Sequence, residues 1–216
     1  MISVPRPVDI AYDYLKERIL DGRLAPSQKL TETQLSEEIG VSRNTVIKAL
    51  LKLEQENLVT IEKNKGATIT SFTLPEILNY LDIRRVLEGL AIRSAVEHID
   101  DGSIKQLQTI VQQMESELNN NQFDEYSKLN KKFHQILYDA SANKQAVDMI
   151  LKIKTQLNRL HLKTILIPGR KDESHAEHTA ICEAVKKRDA DAAEAAIMLH
   201  VSRIRDVVAK HYTYLI

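Results

Sequence analysis

The chain has few of the features that mark a secreted or membrane protein. It has a single cysteine, Cys182, among 216 residues, which excludes an intrachain disulfide and is typical of a reducing compartment. No apolar run approaches the roughly 18 residues that span a bilayer, and residues 1–7 lack the apolar segment of a secretory signal. We therefore expect a cytoplasmic protein that makes no membrane contact.

The chain also lacks an excess of charge of either sign. Thirty basic residues balance thirty acidic ones, so a protein that coats nucleic acid non-specifically is excluded. Hydrophobic residues make up 43% and charged residues 28% of the chain, which is typical of a globular protein. The length allows one large domain or two small ones, and any contact with nucleic acid has to come from a local basic patch.

The first 72 residues show the patterns of three helices followed by a hairpin. Apolar residues recur at helical spacing over residues 8–20. Thr31 with Gln34 three residues later predicts a capping box that starts a second helix, which Gly40 ends, and Ser42 can cap a third. The β-branched stretches 58–61 and 67–70 predict two short strands. This order of elements predicts a winged helix-turn-helix.

From residue 73 onward strand patterns are absent and helical periodicity continues to the C-terminus. Breaks near residues 100–102, 119–121, 141–143, 168–169 and 188–189 separate about six helical segments. A helical bundle is the simplest fold for such a pattern. We therefore expect a mainly α protein with an N-terminal winged helix-turn-helix, residues 1–72, and a C-terminal antiparallel all-helical bundle, residues 73–216, that senses an effector and dimerises.

The third predicted helix has a basic outer face. Residues 43–53 include three cations and no acid, although residues 1–72 hold ten basic and ten acidic residues. The second helix of a helix-turn-helix reads base edges with its N-terminal residues, so Arg43 can contact guanine through two hydrogen bonds and Asn44 can contact adenine or phosphate. The remaining candidate DNA contacts are Ser42, Thr45, Lys48 and Lys52 on the backbone and Lys63, Lys65 and Gly66 at the wing tip. A solvated helix face beside an ordinary hairpin would have the same charges.

The stretch from Thr31 to Val59 resembles the DNA-binding signature of the GntR family of bacterial regulators, with the sequence TETQLSEEIGVSRNTVIKALLKLEQENLV. Gly66 matches the wing glycine of that family. Members commonly have arginine where Thr33 stands, proline at Thr45, and arginine followed by glutamate at residues 47–48. Because only Arg43 of the usual arginine set remains, the operator sequence of relatives cannot be transferred to this chain.

Three of the seven histidines lie where helical geometry can bring them together. His178 and His200 each lie eleven residues from Asp189, in the turn between the last two predicted helices, so they reach the same height in an antiparallel pair. His134 follows Asn130 by one helical turn in another segment. Three imidazoles from three helices can bind one transition-metal ion and leave positions open for a ligand. Helical histidines are, however, also common as plain core or surface residues.

The second part of the chain is similar to the FCD ligand-sensing domain of the FadR-like GntR subfamily. Residues 83–88 (IRRVLE) match its first-helix motif, residues 130–134 (NKKFH) match its D-x-x-F-H motif, and residues 177–178 with His200 match its later metal histidines. The resemblance implies a divalent metal on an aspartate and three histidines, completed by a carboxylate effector. Here Asn130 replaces the aspartate, and an amide oxygen is a weaker, neutral donor.

The resemblance therefore implies Zn²⁺, with Ni²⁺ or another divalent ion as alternatives, on His134, His178 and His200, and Asn130 as a weak or indirect fourth member. Arg84 matches the ligand-facing arginine of the subfamily and is the candidate for a second contact to the effector. A surface ion pair is the alternative role for Arg84.

Together these patterns predict a ligand-responsive, sequence-specific transcription regulator that binds a pseudo-palindromic operator in double-stranded DNA as a homodimer. The expected effector is a small organic acid. A sensor of the metal ion itself and a metalloenzyme are the alternatives. The enzyme is disfavoured because the sequence has no nucleophile motif or Gly-rich phosphate loop, and Glu177 and Glu183 are the only nearby acids.

Overall fold

The computed structural model describes residues 5–62 and 65–215, except for the side chains of residues 158–163. Within these residues the chain forms nine helices and one sheet of three strands. The prediction of a mainly α protein with a winged helix-turn-helix and an all-helical C-terminal part is therefore confirmed. The chain divides into two compact units, with the division between Thr73 and Leu74.

The first unit contains three helices and all three strands: α1 (Pro7–Leu20), β1 (Lys29–Leu30), α2 (Glu32–Ile39), α3 (Arg43–Gln55), β2 (Val59–Glu62) and β3 (Gly66–Ile69). Strand β3 pairs antiparallel with both β1 and β2, which gives the order β1-β3-β2. The β2-β3 hairpin was predicted, whereas β1 was not. Two residues are too short to show the alternation that identifies a strand in a sequence.

The turn between α2 and α3 fixes the start of the third helix. Gly40 ends α2 with a φ of 74°, a left-handed conformation that glycine adopts without steric cost. Ser42 caps α3 as predicted, because its side chain accepts a hydrogen bond of 3.2 Å from the Thr45 amide. The inner face of α3, with Val46 and Leu50, packs into the core of this unit, so the opposite face is left for solvent or a partner.

The prediction of a capping box at Thr31 is wrong in one respect. Thr31 does occupy the N-cap position of α2, but its side chain makes no capping hydrogen bond. Thr31 follows β1 directly and keeps an extended backbone, with φ of −104° and ψ of 115°. Its carbonyl instead accepts the first helical hydrogen bond, from Leu35 at 3.0 Å.

The second unit consists of helices throughout the described residues: α4 (Leu74–His98), α5 (Asp101–Asn119), α6 (Phe123–Ala140), α7 (Lys144–Ile165), α8 (Arg170–Lys186) and α9 (Ala190–Leu215). All five predicted breaks fall at junctions between these helices. Helix α4 packs along α9, α9 packs on α8, and α5 packs on α6 and α8. None of the described helices combines the length and apolar character that a bilayer crossing requires.

The antiparallel hairpin of α8 and α9 determines which residues of the two helices lie opposite each other. Asp189 caps α9, since its side chain accepts a 2.9 Å hydrogen bond from the Ala192 amide. The apolar core around Phe133, Ile181 and Ile197 then holds α6, α8 and α9 together. Cys182 is part of this core, as expected for a packing residue.

Candidate metal centre and DNA-binding surface

Three histidines from three helices meet inside the second unit. His134 of α6, His178 of α8 and His200 of α9, here called the histidine cluster, each offer a nitrogen within 4.8 Å of the others. Their side chains are 0%, 1% and 2% exposed, and their ring centres lie 4.8–5.5 Å apart. The equal heights expected from the α8-α9 hairpin bring His178 and His200 into contact.

The ring of His178 is held in one orientation by its Nδ1 atom. Nδ1 lies 2.6 Å from the carbonyl oxygen of Ser174, and because a carbonyl only accepts, Nδ1 carries the proton. Burial, followed by the charge of His200, lowers the pKa of His178 to about 3. The ring is therefore neutral near pH 7, and its Nε2 atom presents a lone pair.

Asn130 contacts that lone pair. Its amide oxygen lies 2.7 Å from Nε2 of His178, but an oxygen and a lone pair are both acceptors. The contact becomes a hydrogen bond when the amide turns by half a rotation, so that its NH₂ group donates to Nε2. Asn130 therefore satisfies His178 by donating, which an ionised aspartate cannot do.

The ring of His200 is held by a buried carboxylate. Its Nδ1 atom donates to Glu177 at 2.7 Å, and Arg170 donates to both oxygens of Glu177 at 2.8 and 2.7 Å. Burial favours the neutral carboxyl group, but the hydrogen bonds from His200 and Arg170 outweigh it and lower the pKa of Glu177 to about 2. The carboxylate fixes the proton of His200 on Nδ1, so Nε2 carries the lone pair, an arrangement typical of metal-binding histidines.

Part of the cluster has no hydrogen-bond partner within the described residues. This is true of both ring nitrogens of His134 and of Nε2 of His200. Burial, followed by the charge of Lys154, lowers the pKa of His134 well below 6.5, so its ring is neutral as well. A buried polar atom without a partner costs about 1–3 kcal/mol. Neutral imidazoles with converging lone pairs fit a transition-metal ion.

A pocket lies beside the cluster and is lined in part by His200. It opens to solvent, and its enclosed part has a volume of about 30 Å³, enough for one or two water molecules. Most of its lining is polar, and it consists of Tyr126, Ser127, Asn130, Thr164, Ile165, Arg170, Ser174, His200 and Ile204. The guanidinium of Arg170 adds a positive charge to the lining of the pocket and forms an ion pair with Glu177.

A second buried ion pair lies near His134. Arg84 of α4, the predicted effector residue, donates from Nε to Glu88 at 2.9 Å, and the two side chains are 1% and 2% exposed. Tyr138 also donates to Glu88, at 2.7 Å, and accepts a 3.2 Å hydrogen bond from Lys154 of α7. The ion pair of Arg84 is therefore buried, contrary to the surface pair considered from the sequence.

Two cations near the cluster, Arg170 and Lys154, were missed at the level of sequence. Arg170 and Glu177 are seven residues apart in α8, a spacing that places them on one face, so their pairing had a detectable signal. Lys154 had none, because it is one of several lysines in α7. Glu183, considered with Glu177 as a nearby acid, instead lies about half exposed and pairs with Lys186.

In the first unit, Arg43, Asn44 and Lys48 are exposed on α3. The hydroxyl of Ser42 is exposed but engaged with Thr45 at 2.8 Å.

The other predicted DNA contacts are more constrained. Lys52 pairs with Asp9 at 2.8 Å, and Lys65 pairs with Glu62 at 2.6 Å. Gly66 begins β3 with a φ of 88°, and Lys63 lies outside the described residues.

Models of two protein families match the chain. The model of the bacterial regulatory proteins of the gntR family matches residues 7–69, and the model of the FCD domain matches residues 79–203, more than half of the chain. The chain belongs to the FCD domain family, and its N-terminal part is a GntR-type helix-turn-helix domain. It is similar to the HTH-type transcriptional regulator YdhC of Bacillus subtilis, with 29% identity over 190 residues that cover 88% of this chain and 85% of YdhC.

Other relatives agree with this assignment. The HTH-type transcriptional repressor RspR of Escherichia coli is 27% identical over 197 residues, which cover 91% of this chain and 86% of RspR. The solved structure of E. coli McbR/YncC has the same fold, with a TM-score of 0.76 and 20% identity over 97% of this chain and 100% of that one. The protein is therefore a sequence-specific DNA-binding transcription regulator. The alternative of a metalloenzyme is wrong.

Proposed function

We propose that this regulator binds a divalent metal ion, Zn²⁺ or a similar ion, on the histidine cluster and changes its affinity for operator DNA when a small carboxylate binds beside that ion. The observation that carries the proposal is the meeting of three imidazoles with nitrogens within 4.8 Å of one another, of which His134 and Nε2 of His200 have no hydrogen-bond partner among the described residues. Such a metal supplies a Lewis-acidic position for an anionic ligand.

The polarity of the surroundings supports an anionic effector. His134, His178, His200 and Asn130 are all neutral, so no protein charge among these four side chains offsets the two positive charges of a bound ion. The adjoining polar pocket opens to solvent, which gives a small organic acid a route to the ion. We propose that Asn130 turns its amide oxygen toward the ion and its NH₂ group toward the effector.

We further propose that the exposed residues of α3 read the operator. Arg43 at the first turn contacts a guanine, Asn44 contacts adenine or phosphate, and Lys48 contacts the backbone. Ser42 and Thr45 contribute backbone contacts, and Lys65 and Gly66 approach the DNA from the wing. Lys52 contributes only if DNA draws it away from Asp9.

We propose that a homodimer forms through α4. The most exposed line of this helix contains Ile83, Val86 and Leu90, which are 51%, 50% and 46% exposed. Their spacing of three and four residues forms one apolar stripe, here called the α4 stripe. A stripe that pairs with its own copy across a two-fold axis produces the symmetry that a palindromic operator requires.

A metal analysis with a DNA-binding assay tests the proposal. Protein purified without a histidine tag is stripped with a chelator, reloaded with Zn²⁺, and compared with the His134→Ala variant by elemental analysis. We expect one ion per chain in the wild type and none in the variant, and no ion in either protein would refute the metal site. Fluorescence anisotropy on a selected operator then measures affinity with metal alone and with a panel of carboxylates.

A sensor of the metal itself is the second candidate. The lone pair of His178 is covered by Asn130, so metal binding at Nε2 requires Asn130 to rearrange. In the anisotropy assay, a change in DNA affinity caused by Zn²⁺ alone, with no further change from any acid, would favour this second function.

A further inference from the structure

We infer that the effector of this regulator has at least two acidic groups and that Lys154 binds the second of them. The inference rests on the proposed function, since it assumes a carboxylate at the histidine cluster. It concerns a position on the His134 side of the cluster, separate from the Arg170 side where the pocket lies.

Among the described residues, Lys154 is a cation near the cluster for which no ion pair with a carboxylate is formed. Glu177 is paired with Arg170, and Glu88 is paired with Arg84. Within the described residues, no carboxylate lies at ion-pair distance from Lys154. Its hydrogen bond goes to the hydroxyl of Tyr138, which is uncharged and gives its own proton to Glu88.

The charge of Lys154 is only partly solvated. Its side chain is half-buried, and burial, followed by the charge of Arg84, lowers its pKa to about 8. It still carries a proton at pH 7. The attraction of Glu88 raises this pKa but does not offset burial and the charge of Arg84. A partly desolvated ammonium with no carboxylate at ion-pair distance among the described residues favours an anion from outside the chain.

Lys154 is also close to the cluster. Its Nζ atom lies 5.0 Å from the ring centre of Tyr138, and that ring stacks on His134 with 6.0 Å between centres. After burial, its charge is the largest influence that lowers the pKa of His134. An acid with one anionic group at the cluster can therefore direct a second group toward Lys154 only if the two groups are a few bonds apart.

A matched pair of acids tests this inference on the full-length, Zn²⁺-loaded protein. L-Malate and L-lactate share the α-hydroxy acid group, and malate adds one carboxylate. Isothermal titration calorimetry is expected to show malate binding at least about tenfold tighter than lactate, because a charge-assisted hydrogen bond contributes about 1.5–3 kcal/mol. Lys154→Met should weaken malate by about tenfold or more and lactate by less than about twofold.

Two further variants control for charge and folding. Lys152→Met removes an exposed cation from the same helix and should leave both affinities unchanged, whereas Lys154→Arg keeps the charge and should keep the preference for malate. Because Lys154→Met also removes a charge that attracts Glu88 and a hydrogen bond to Tyr138, urea unfolding of the acid-free variant checks that it is folded under the conditions of the titration. Should it fail to fold, Lys154→Gln, which removes the charge but keeps a polar end group, replaces it in the same comparison with Lys152→Met.

The possible results distinguish the inference about Lys154 from the proposed function on which it rests. Equal binding of lactate and malate to the wild type, or equal losses of both in Lys154→Met, would overturn the inference and leave the carboxylate-responsive function intact. Binding of neither acid would count against both. Loss of the malate preference in Lys152→Met would show that general helix charge, and not Lys154, selects the diacid.

Discussion

Replacing His134 with leucine is expected to make the metal-free protein more stable while it abolishes metal binding. The His134 side chain is fully buried, and neither of its ring nitrogens has a hydrogen-bond partner within the described residues. Each such group costs about 1–3 kcal/mol, and a leucine of similar volume removes both. After allowance for imperfect packing, we expect a gain of about 2 kcal/mol in the free energy of unfolding.

The matched control is His178→Leu in the same cluster. Both ring nitrogens of His178 have partners, Ser174 and Asn130, so this variant loses two hydrogen bonds of about 1 kcal/mol each and should be less stable than the wild type. Urea unfolding of the chelator-treated proteins, followed by far-UV circular dichroism, measures the order. If His134→Leu is destabilised as much as His178→Leu, His134 is a structural residue and the argument from unsatisfied nitrogens fails.

Four further predictions concern the histidine cluster, the DNA-binding helix α3 and the α4 stripe. Glu177→Gln removes the charge that holds His200, so Zn²⁺ affinity measured against a chromophoric chelator should fall by about 10–100-fold; an unchanged affinity would contradict the role of Glu177. The folded-state pKa values of the cluster lie below 6.5, so the unfolded chain binds more protons as the pH falls below 6.5. His134 and His178, whose pKa values are the most strongly lowered, should therefore each cost the metal-free protein about 1.4 kcal/mol, about 3 kcal/mol together, between pH 7.5 and 5.5, and a flat urea midpoint over this range would argue against neutral imidazoles. Glu177 contributes no change between pH 7.5 and 5.5, because its lowered pKa makes the folded protein lose stability only below about pH 4.5. Arg43→Ala should weaken operator binding in anisotropy by about 1–3 kcal/mol and relax base preference, whereas Lys48→Ala should weaken all sequences equally and reduce the salt dependence; the reverse pattern would exchange their roles. Leu90→Glu in the α4 stripe should give monomers in sedimentation at micromolar concentration, and an unchanged dimer would place the interface elsewhere.

The helices of this protein could be predicted because their signals are local. A break such as Pro168-Gly169 or a cap such as Ser42 acts within a few residues, and the structure has its junctions at these places. Strand β1 could not be predicted, because it exists only through pairing of Lys29 and Leu30 with β3 nearly forty residues later. The absence of a side-chain capping bond at Thr31 has no such explanation, because its extended backbone is also that of Ser42, which does cap its helix.

The candidate site was predictable only in part. Helical spacing and the family resemblance placed the three histidines together, and spacing along α8 could also have paired Arg170 with Glu177. The charge balance at Lys154 depends on which helices contact one another, since its neighbours Tyr138 and Arg84 lie in α6 and α4. No periodicity within α7 contains that information.

The pattern of satisfied and unsatisfied groups distinguishes this site from an ordinary polar core. The two buried ion pairs, Arg84 with Glu88 and Arg170 with Glu177, satisfy each other at 2.7–2.9 Å. In a core built only for stability, the ring nitrogens of the histidines would likewise have hydrogen-bond partners. Instead, Nε2 of His200 and both ring nitrogens of His134 have no hydrogen-bond partner in the described part of the chain. Folding accepts a cost of several kcal/mol here, and a ligand that binds only the folded state offsets such a cost by mass action. The arrangement is therefore best explained as a site whose final partner comes from outside the chain.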